Sequence, residues 1–273
     1  MSIEGFSDIA GLVRARAGIV LTEDKAYLLE TRLAPLLPRY KLPSIGALAR
    51  RLRERPDPAL ERAVIESLTT HESSFFRDQK PFDHLSATLP KLAALRPPGQ
   101  ALRIWSAACS SGQEPYSIAM VVAEALAGRN RRVDILATDL SAEVLSRARE
   151  GVYTQFEVQR GLPIKLLVKY FRQEETRWRI AESLRSMVRF EERNLLGDLA
   201  PLGRFDAIFC RNVLIYFDAP TKTRVLESMA RLLAPDGVLY LGGAETVLGL
   251  TERLRPITGE RGAYSLAEQR AAA

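Results

Sequence analysis

The stretch LRIWSAACSSGQEPYSI, residues 102–118, decides the fold of this chain. It begins with an apolar strand at residues 102–105, passes through small residues at 107–112 and enters an amphipathic helix near Glu114 and Pro115. Small side chains let the backbone pass close to a ligand at the carboxyl end of a strand, and proline suits a first helical turn. The pattern predicts the opening strand–loop–helix unit of a nucleotide-type α/β domain, although such turns also join strands to helices without any ligand.

The same loop narrows the class of ligand. A dinucleotide fingerprint needs G-x-G-x-x-G and a phosphate loop needs G-x-x-x-x-G-K-S/T, whereas Gly112 is the only glycine here and no lysine follows it. A diphosphate is disfavoured, which leaves an adenosine ligand without phosphates. A second predicted strand, residues 133–137, leads into Asp139, whose carboxylate is placed to accept both ribose hydroxyls. Asp139 is also a candidate helix N-cap, but Ser141 can cap that helix by itself, so the two roles are compatible.

The composition limits the class of protein. The chain has 273 residues, of which 47% are hydrophobic and 26% charged, enough for one large domain or two modest ones. Because it has no apolar run of about 18 residues and no signal-peptide pattern at its start, we expect a cytoplasmic protein without direct membrane insertion. Cys109 and Cys210 are expected to be reduced thiols, and the cysteines and histidines show no metal-ligand spacing, so no metal is expected.

The positive charge of the chain favours an acidic partner. The net charge is +6 and the isoelectric point lies near 9.5, which by itself does not choose among nucleic acid, a membrane surface and an acidic protein segment. The sequence contains no zinc finger, RNP-type aromatic motif or long basic tail, so no nucleic-acid partner is expected.

Residues 1–85 show helical periodicity and almost no strand signal, which predicts an all-helical N-terminal domain of four helices. A connecting helix and a Pro-Pro-Gly linker follow in residues 86–100. The third predicted helix carries a basic cluster that is either a solvated face or a docking surface for an acidic partner. The cluster consists of Arg50, Arg51, Arg53 and Arg55.

The segment TTHESSFFRD, residues 69–78, is unusual for a surface helix because polar hydrogen-bonding side chains run directly into two phenylalanines and Arg77. One interpretation is a helix end at which serine and threonine cap while the phenylalanines pack. We favour a polar site walled by aromatic rings, since Arg77 beside two large apolar groups needs a partner carboxylate.

Beyond Asp139 the strand–helix rhythm is interrupted and then resumes. Residues from about 160 to 190 are interpreted as an insertion containing a small antiparallel β patch. Further strands of the main sheet are predicted at residues 188–190, 205–209 and 238–241. A terminal hairpin is predicted from two short strands, residues 254–257 and 263–266.

Taken in order, the blocks THESSFFRD, WSAACSSGQEPYS, ILATDLS, RNLL and IFCRNVLIYF, with the helical N-terminal domain and the inserted patch, resemble the CheR family of chemotaxis-receptor glutamate methyltransferases. The resemblance covers nearly the whole chain. It implies a class I S-adenosylmethionine-dependent methyltransferase fold, α/β and Rossmann-like, with a mainly parallel seven-stranded sheet in residues 101–273. S-adenosylmethionine is then the cofactor and S-adenosylhomocysteine the product.

The resemblance also implies roles for particular residues. Arg77 and Glu114 are expected at the methionine end of the cofactor, Asp139 at its ribose, Asn194 and Leu195 at its adenine, Arg211 and Asn212 along the pocket, and Tyr216 near the transferred methyl group. Arg77 and Tyr216 are the expected catalytic residues, as orienting groups.

The chain departs from the family at one place, where His71-x-Ser73 replaces the usual Asn-x-Thr. Serine keeps the hydroxyl of threonine, whereas histidine changes the size of the first residue and adds a titratable group. Both are carried forward as candidate cofactor contacts.

A glutamate substrate is consistent with the lack of a convincing general base, since its carboxylate has a reference pKa of about 4.3 and is already an anion at neutral pH.

The expected partner is the acidic helical bundle of a receptor's cytoplasmic domain. We expect this protein to be a monomer and to bind the bundle through the arginine cluster. The patch looks short and its connecting loop lacks a glycine for a tight turn, so independence from a tethering receptor tail peptide is predicted. The alternatives are a methyltransferase for a small molecule or RNA, and a non-catalytic ligand-binding module.

Overall fold

The computed structural model describes residues 4–267, so residues 1–3 and 268–273 of the predicted domains lie outside the described part. The chain divides into two compact units. One consists of the residues up to Thr70 together with Tyr216–Thr221, and the other of His71–Ile215 and the residues from Lys222 onward. Within the described residues, no helix is long and apolar enough to cross a membrane.

Helices and strands follow one another along the chain as follows. The helices are α1 (Phe6–Ala17), α2 (Ala26–Leu33), α3 (Leu36–Arg39), α4 (Ile45–Glu54), α5 (Pro58–Leu68), α6 (Lys80–Leu95), α7 (Gln113–Ala125), α8 (Ala142–Glu150), α9 (Gln155–Gln159), α10 (Ile164–Tyr170), α11 (Glu182–Arg185) and α12 (Ala219–Leu232). The strands are β1 (Leu102–Ala107), β2 (Val133–Asp139), β3 (Val152–Thr154), β4 (Phe171–Glu174), β5 (Arg177–Ile180), β6 (Val188–Glu192), β7 (Phe205–Cys210), β8 (Leu233–Leu241), β9 (Leu254–Pro256) and β10 (Ala263–Leu266).

The first unit is helical, as its periodicity predicts, with apolar faces buried and side-chain caps at the N-termini of α4 and α5. The side chain of Ser44 accepts the Ala47 N–H at the start of α4, and that of Asp57 accepts the Leu60 N–H at the start of α5. The second predicted helix is wrong as a single element, because it divides into α2 and α3. Pro35 lies at the break, where a residue without an N–H cannot continue the helical hydrogen bonds.

The second unit contains a seven-stranded sheet in the order β6-β2-β1-β7-β8-β10-β9, which confirms the predicted α/β fold. Strands β6, β2, β1, β7 and β8 are parallel, whereas the terminal hairpin of β9 and β10 is antiparallel. Every residue of β7 is buried, as expected for a parallel strand with helices on both faces. The strand order reverses beside β1, and ligands bind at such a point, outside the carboxyl ends of the strands.

The inserted β patch is a three-stranded antiparallel sheet in the order β3-β5-β4. It differs from the predicted insertion at residues 160–190 because β3 begins at Val152, and three residues are too few to show a strand pattern in sequence. The premise that a tight turn here needs glycine is wrong. Only Glu175 and Thr176 join β4 to β5, and Glu175 adopts a left-handed φ of 52°.

The division between the units lies after Thr70, earlier than the predicted boundary at residue 85. Phe75, Phe76, Phe82 and Leu85 belong to the same buried apolar cluster as α7 and the parallel strands. Helical periodicity runs across the boundary, but burial assigns these residues to the α/β unit.

Candidate functional site

The loop between β1 and α7 has a strained backbone at the carboxyl end of β1. Ala108 and Ser110 have φ values of 55° and 50° although neither is glycine, and Gly112 has a φ of 95°. The hydroxyl of Tyr153, in β3, donates to the Ser111 carbonyl over 2.9 Å. A Cβ on Gly112 would lie 2.9 Å from the hydroxyl oxygen of Tyr153. Strain of this kind persists only where surrounding structure imposes it, and it is typical of ligand sites.

Asp139 ends β2 beside this loop and is only 7% exposed. One carboxylate oxygen accepts the Ser110 N–H over 2.8 Å and the other accepts the Ser141 N–H over 3.0 Å. Ser141 caps α8 through the Val144 N–H, which confirms that Asp139 is not needed as the cap. Because a carboxylate offers about four acceptor positions, two remain for a pair of ligand hydroxyls.

A buried ion pair joins α7 to the end of β7. Glu114 accepts the Ser106 hydroxyl over 2.7 Å with one oxygen and the Arg211 guanidinium over 3.1 Å with the other. Burial raises the pKa of Glu114, and the positive charge of Arg211 opposes this rise. A cationic ligand group beside Glu114 would favour its ionised form in the same way.

Arg211 is 2% exposed and also holds the segment before α6. Its guanidinium donates to the Arg77 carbonyl over 2.6 Å and to the Asp78 carboxylate over 2.9 Å. The Nε atom is buried without a hydrogen-bond partner. The Arg211 side chain therefore links the end of β7 to α7 and to the segment before α6. Its Nε–H donor faces the interior without an acceptor.

The side chain of Arg77 donates to the Glu72 carbonyl over 3.2 Å. Its charge, after the larger effect of Arg160, lowers the pKa of the Glu72 carboxyl, whereas Asp78 and Glu114 pair with Arg211. The partly buried guanidinium can bind an anionic ligand group.

Residues 71–78 form an irregular segment rather than the end of a helix. The His71 carbonyl accepts the Ser110 hydroxyl over 3.0 Å, which joins the segment to the strained loop. The two phenylalanines are buried, and the Phe75 ring packs edge-on against Tyr153 with centroids 5.0 Å apart. Ser73 lies in the same segment, two residues after His71. The stretch is therefore not a capped helix end, although the phenylalanines pack as that interpretation expected.

The predicted adenine contacts follow β6. Asn194 folds into a turn in which its side-chain oxygen accepts the Leu196 N–H over 2.9 Å, and Leu195 is buried. The neighbouring Arg193 N–H donates to the Asp139 carbonyl over 2.9 Å. This bond brings the segment that carries Asn194 and Leu195, the predicted adenine contacts, next to Asp139, the residue predicted to bind ribose.

Asn212 follows Arg211 with a left-handed φ of 58°. Its main-chain N–H donates to the carboxylate of Glu245 over 2.9 Å. Sequence reasoning did not find Glu245, although an acidic residue four positions after a buried apolar strand is a signal that could have pointed to it.

Tyr216 ends a short 3-10 helix, Leu214–Tyr216, and belongs to the first unit. Its carbonyl accepts the Val20 N–H over 2.9 Å. The arginine cluster belongs to the same unit, on α4 and directly after it. Three of its members form surface ion pairs, which are Arg50 with Glu4, Arg51 with Asp57 and Arg53 with Asp8.

Cysteine nucleophiles and metal ions are the other sources of reactivity to consider. The thiols of Cys109 and Cys210 are free and buried, and burial raises the pKa of each, so neither is an activated nucleophile. Among the described residues, no group of three histidine, cysteine, aspartate or glutamate side chains is arranged to hold a metal ion. The second unit does present acceptors for hydroxyl groups, a cation for an anionic group and an anion for a cationic group. These are the contacts that suit a nucleoside carrying an amino-acid group.

Two family models match consecutive parts of the chain. The model described as CheR methyltransferase, all-alpha domain, matches residues 4–69, and the model described as CheR methyltransferase, SAM binding domain, matches residues 71–263.

Named relatives agree with these matches. The chain is 38% identical over 257 residues to chemotaxis protein methyltransferase Cher2 of Pseudomonas putida, covering 92% of this chain and 94% of the relative. It is 41% identical over 246 residues to chemotaxis protein methyltransferase 1 of Pseudomonas aeruginosa, covering 88% and 89%. It is also 38% identical over 255 residues to the chemotaxis protein methyltransferase of Escherichia coli, covering 91% and 86%.

Proposed function

Because this chain belongs to the CheR methyltransferase family, we propose that it transfers a methyl group from S-adenosylmethionine to glutamate side chains of chemotaxis receptors, giving glutamate methyl esters and S-adenosylhomocysteine. The observation that carries the proposal is the buried carboxylate of Asp139, which accepts the Ser110 N–H of the strained loop, in a chain that both family models match.

The residues of the second unit fit S-adenosylmethionine, which supplies an electrophilic methyl group on a sulfonium. Asp139 has two acceptor positions left for the ribose hydroxyls. Arg77 binds the methionine carboxylate, and Glu114 faces the positive charge at the same end. Leu195 packs against the adenine, while Asn194, Asn212 and the His71–Ser73 segment complete the contacts. Arg211, with the donors it already commits to protein, holds Glu114 and the Arg77 segment in place.

The protein's part in the reaction is to orient and to exclude water. A substrate glutamate is ionised at neutral pH, because its reference pKa is about 4.3, so no side chain has to remove a proton from it. Arg77 and Tyr216 orient the reactants, and the rate comes from holding the carboxylate oxygen about 3 Å from the methyl carbon and in line with the sulfur.

The receptor is proposed to dock through Arg50, Arg51 and Arg53 on α4 and Arg55 directly after it, a basic surface that complements an acidic helical bundle. We also propose that methylation does not require a tethering tail peptide. The tight glycine-free turn at Glu175 no longer supports that proposal, which rests on the arginine surface alone.

The test is transfer of labelled methyl from S-adenosylmethionine to purified receptor, followed by mild base, which releases methanol from a methyl ester but not from a methylated amine or ring. Intact receptor, tail-less receptor and a receptor with its acceptor glutamates changed to glutamine are compared. We expect base-labile label on the first two and none on the third. Label that appears only on RNA or a small molecule would identify another methyltransferase, and cofactor binding without any transfer would identify a binding module. Loss of label on the tail-less receptor alone would contradict only the tether proposal.

A further inference from the structure

We infer that Glu245 is a positioning residue for the loop of residues 211–215, and that it sets the methyl-transfer rate rather than cofactor affinity. The inference rests on the proposed function. Glu245 is 9% exposed, lies after β8 and belongs to none of the predicted contacts.

The two loops that Glu245 connects start from paired residues. In the register of the parallel strands Cys210 pairs with Leu241, the last residues of β7 and β8. Beyond them the strands end, and residues 211–215 and 242–245 leave the sheet side by side. Main-chain N–H groups at such strand ends lose their sheet partners and need other acceptors.

The carboxylate of Glu245 is that acceptor. One oxygen accepts the Gly242 N–H over 2.6 Å and the Asn212 N–H over 2.9 Å, and the other accepts the Ile215 N–H over 3.3 Å. Hydrogen bonds to an ionised group are about twice as strong as neutral ones, and here three converge on one buried carboxylate. The bond to Asn212 also holds a non-glycine residue in a left-handed conformation.

Gly242 supports the same arrangement from the other side. A Cβ added there would lie 2.8 Å from the Asn212 side-chain nitrogen, 2.8 Å from a Glu245 oxygen and 2.9 Å from the Asn212 main-chain nitrogen. The next residue, Gly243, has no atom within 4 Å of the corresponding Cβ. The packing against Asn212 is therefore particular to position 242.

The loop held in this way carries residues with two different tasks. At one end Arg211 contacts Glu114 and the Arg77 carbonyl, which belong to the cofactor site. At the other end Ile215 directly precedes Tyr216, the residue proposed to orient the acceptor. Because Arg211 is anchored by its own ion pairs, a loosened loop moves Asn212 and Ile215 first and leaves the contacts of Arg77 and Glu114 in place.

Two variants with matched controls test the inference. Glu245→Gln keeps the shape but cannot supply acceptors to all three N–H groups, and exposed Glu252→Gln makes the same charge change. Gly242→Ala crowds both Asn212 and the Glu245 carboxylate without changing any charge, and Gly243→Ala is its control. We expect kcat to fall about 10- to 100-fold in both test variants, the range for a displacement near 1 Å. In both test variants the dissociation constant of S-adenosylhomocysteine should change by a much smaller factor than kcat, because Asn212 is the only proposed cofactor contact that moves. Both controls should keep kcat and the dissociation constant within about twofold of wild type.

Amide chemical shifts supply the second readout. The Gly242 and Asn212 amide protons should move upfield in Glu245→Gln, since they lose a charged acceptor. The inference is overturned if kcat in the test variants equals that of the controls, if cofactor affinity falls as much as kcat, or if the amide shifts do not change. A wild-type protein that binds cofactor but never methylates receptor would refute the proposed function instead, and the amide shifts would still decide whether Glu245 holds the loop.

Discussion

At the scale of single residues, the site is organised by largely buried charged groups, each of which forms several hydrogen bonds. Asp139, Glu114 and Glu245 each accept hydrogen bonds from at least two groups, and Arg211 reaches three segments. Removing one partner of such an arrangement leaves a buried polar group unsatisfied, which costs more than the bond itself is worth. Substitutions here should therefore have large and separable effects.

Asp139→Ala is expected to abolish useful affinity for S-adenosylmethionine. The loss of charge-assisted contacts costs about 1.5–3 kcal/mol, or roughly ten- to over a hundredfold in affinity. The structure adds that the Ser110 and Ser141 N–H groups also lose their acceptor. Titration calorimetry measures the effect, and Asp134→Ala, at an exposed position of the same strand, is the control. Unchanged binding in Asp139→Ala would remove this residue from the site.

Tyr216→Phe is expected to lower kcat by about two- to tenfold, the value of one neutral hydrogen bond, with little change in cofactor affinity. If no general base takes part, the rate should be flat between pH 7 and 9. Steady-state methylation across that range is the measurement, with Tyr27→Phe on the exposed surface of α2 as the control. A steep profile that requires a group titrating near neutrality would contradict the mechanism.

At the scale of elements, helix ends rather than helix interiors join distant parts of the chain. The start of α12 shows this within the first unit. Asp218 precedes the helix and accepts the Thr221 N–H over 3.0 Å, which is an N-cap, and it also pairs with Arg14 over 2.6 Å. The cap therefore links residues 216–221 to α1, which lies some two hundred positions earlier in the sequence.

This cap predicts an acid-dependent contribution to stability. Hydrogen bonds from Thr221, and then from Arg14, lower the pKa of Asp218 from 3.8 to about 2. A carboxyl group with a lower pKa in the folded state than in the unfolded state stabilises the folded state at pH values above its unfolded-state pKa. This stabilisation is lost as the pH falls toward 2. Asp218→Ala should therefore unfold at lower denaturant than wild type at pH 7, and the difference should shrink below pH 4.

The measurement is urea unfolding at pH 7, 4 and 3, followed by far-ultraviolet circular dichroism. Asp198→Ala, at an exposed carboxylate that forms no ion pair among the described residues, is the control. A difference between wild type and Asp218→Ala that stays constant down to pH 3 would show that the carboxylate charge contributes nothing.

At the scale of the whole molecule, the net charge of +6 and the arginine cluster concern how a receptor is found. Arg50 and Arg53 side chains are 58% and 62% exposed, and their ion pairs with Glu4 and Asp8 are of the surface type that contributes little to stability. Their charge is available to a larger acidic surface at little cost.

Reversing Arg50 and Arg53 to glutamate should slow receptor methylation at low salt through the association rate, while cofactor affinity stays unchanged. The loss should diminish as ionic strength rises, because exposed charges are screened within about 8–10 Å at physiological salt. The control is the same double reversal at Arg132 and Arg189, which are exposed on the second unit. Equal losses in both pairs, or a loss that ignores salt, would exclude the α4 surface as the docking site.

Local patterns in the sequence were enough to predict the strand–loop–helix unit, the helical character of the first unit and most strands of the main sheet. They were also enough to place Asp139 at the end of β2, and Ser141 as the cap of α8. These features depend on periodicity and on residues within a few positions of each other, which a sequence displays directly. The sequence blocks, taken in order, then pointed to the family that the comparisons established.

The tertiary structure alone decided which charges meet. Arg211 pairs with Glu114, 97 positions away, and with Asp78, 133 positions away. Glu245 reaches the Asn212 N–H only because β7 and β8 end side by side. The three-residue strand β3 exists only through its pairing with β5. Such contacts depend on how packed elements bring their ends together, and no local pattern of residue types encodes that distance.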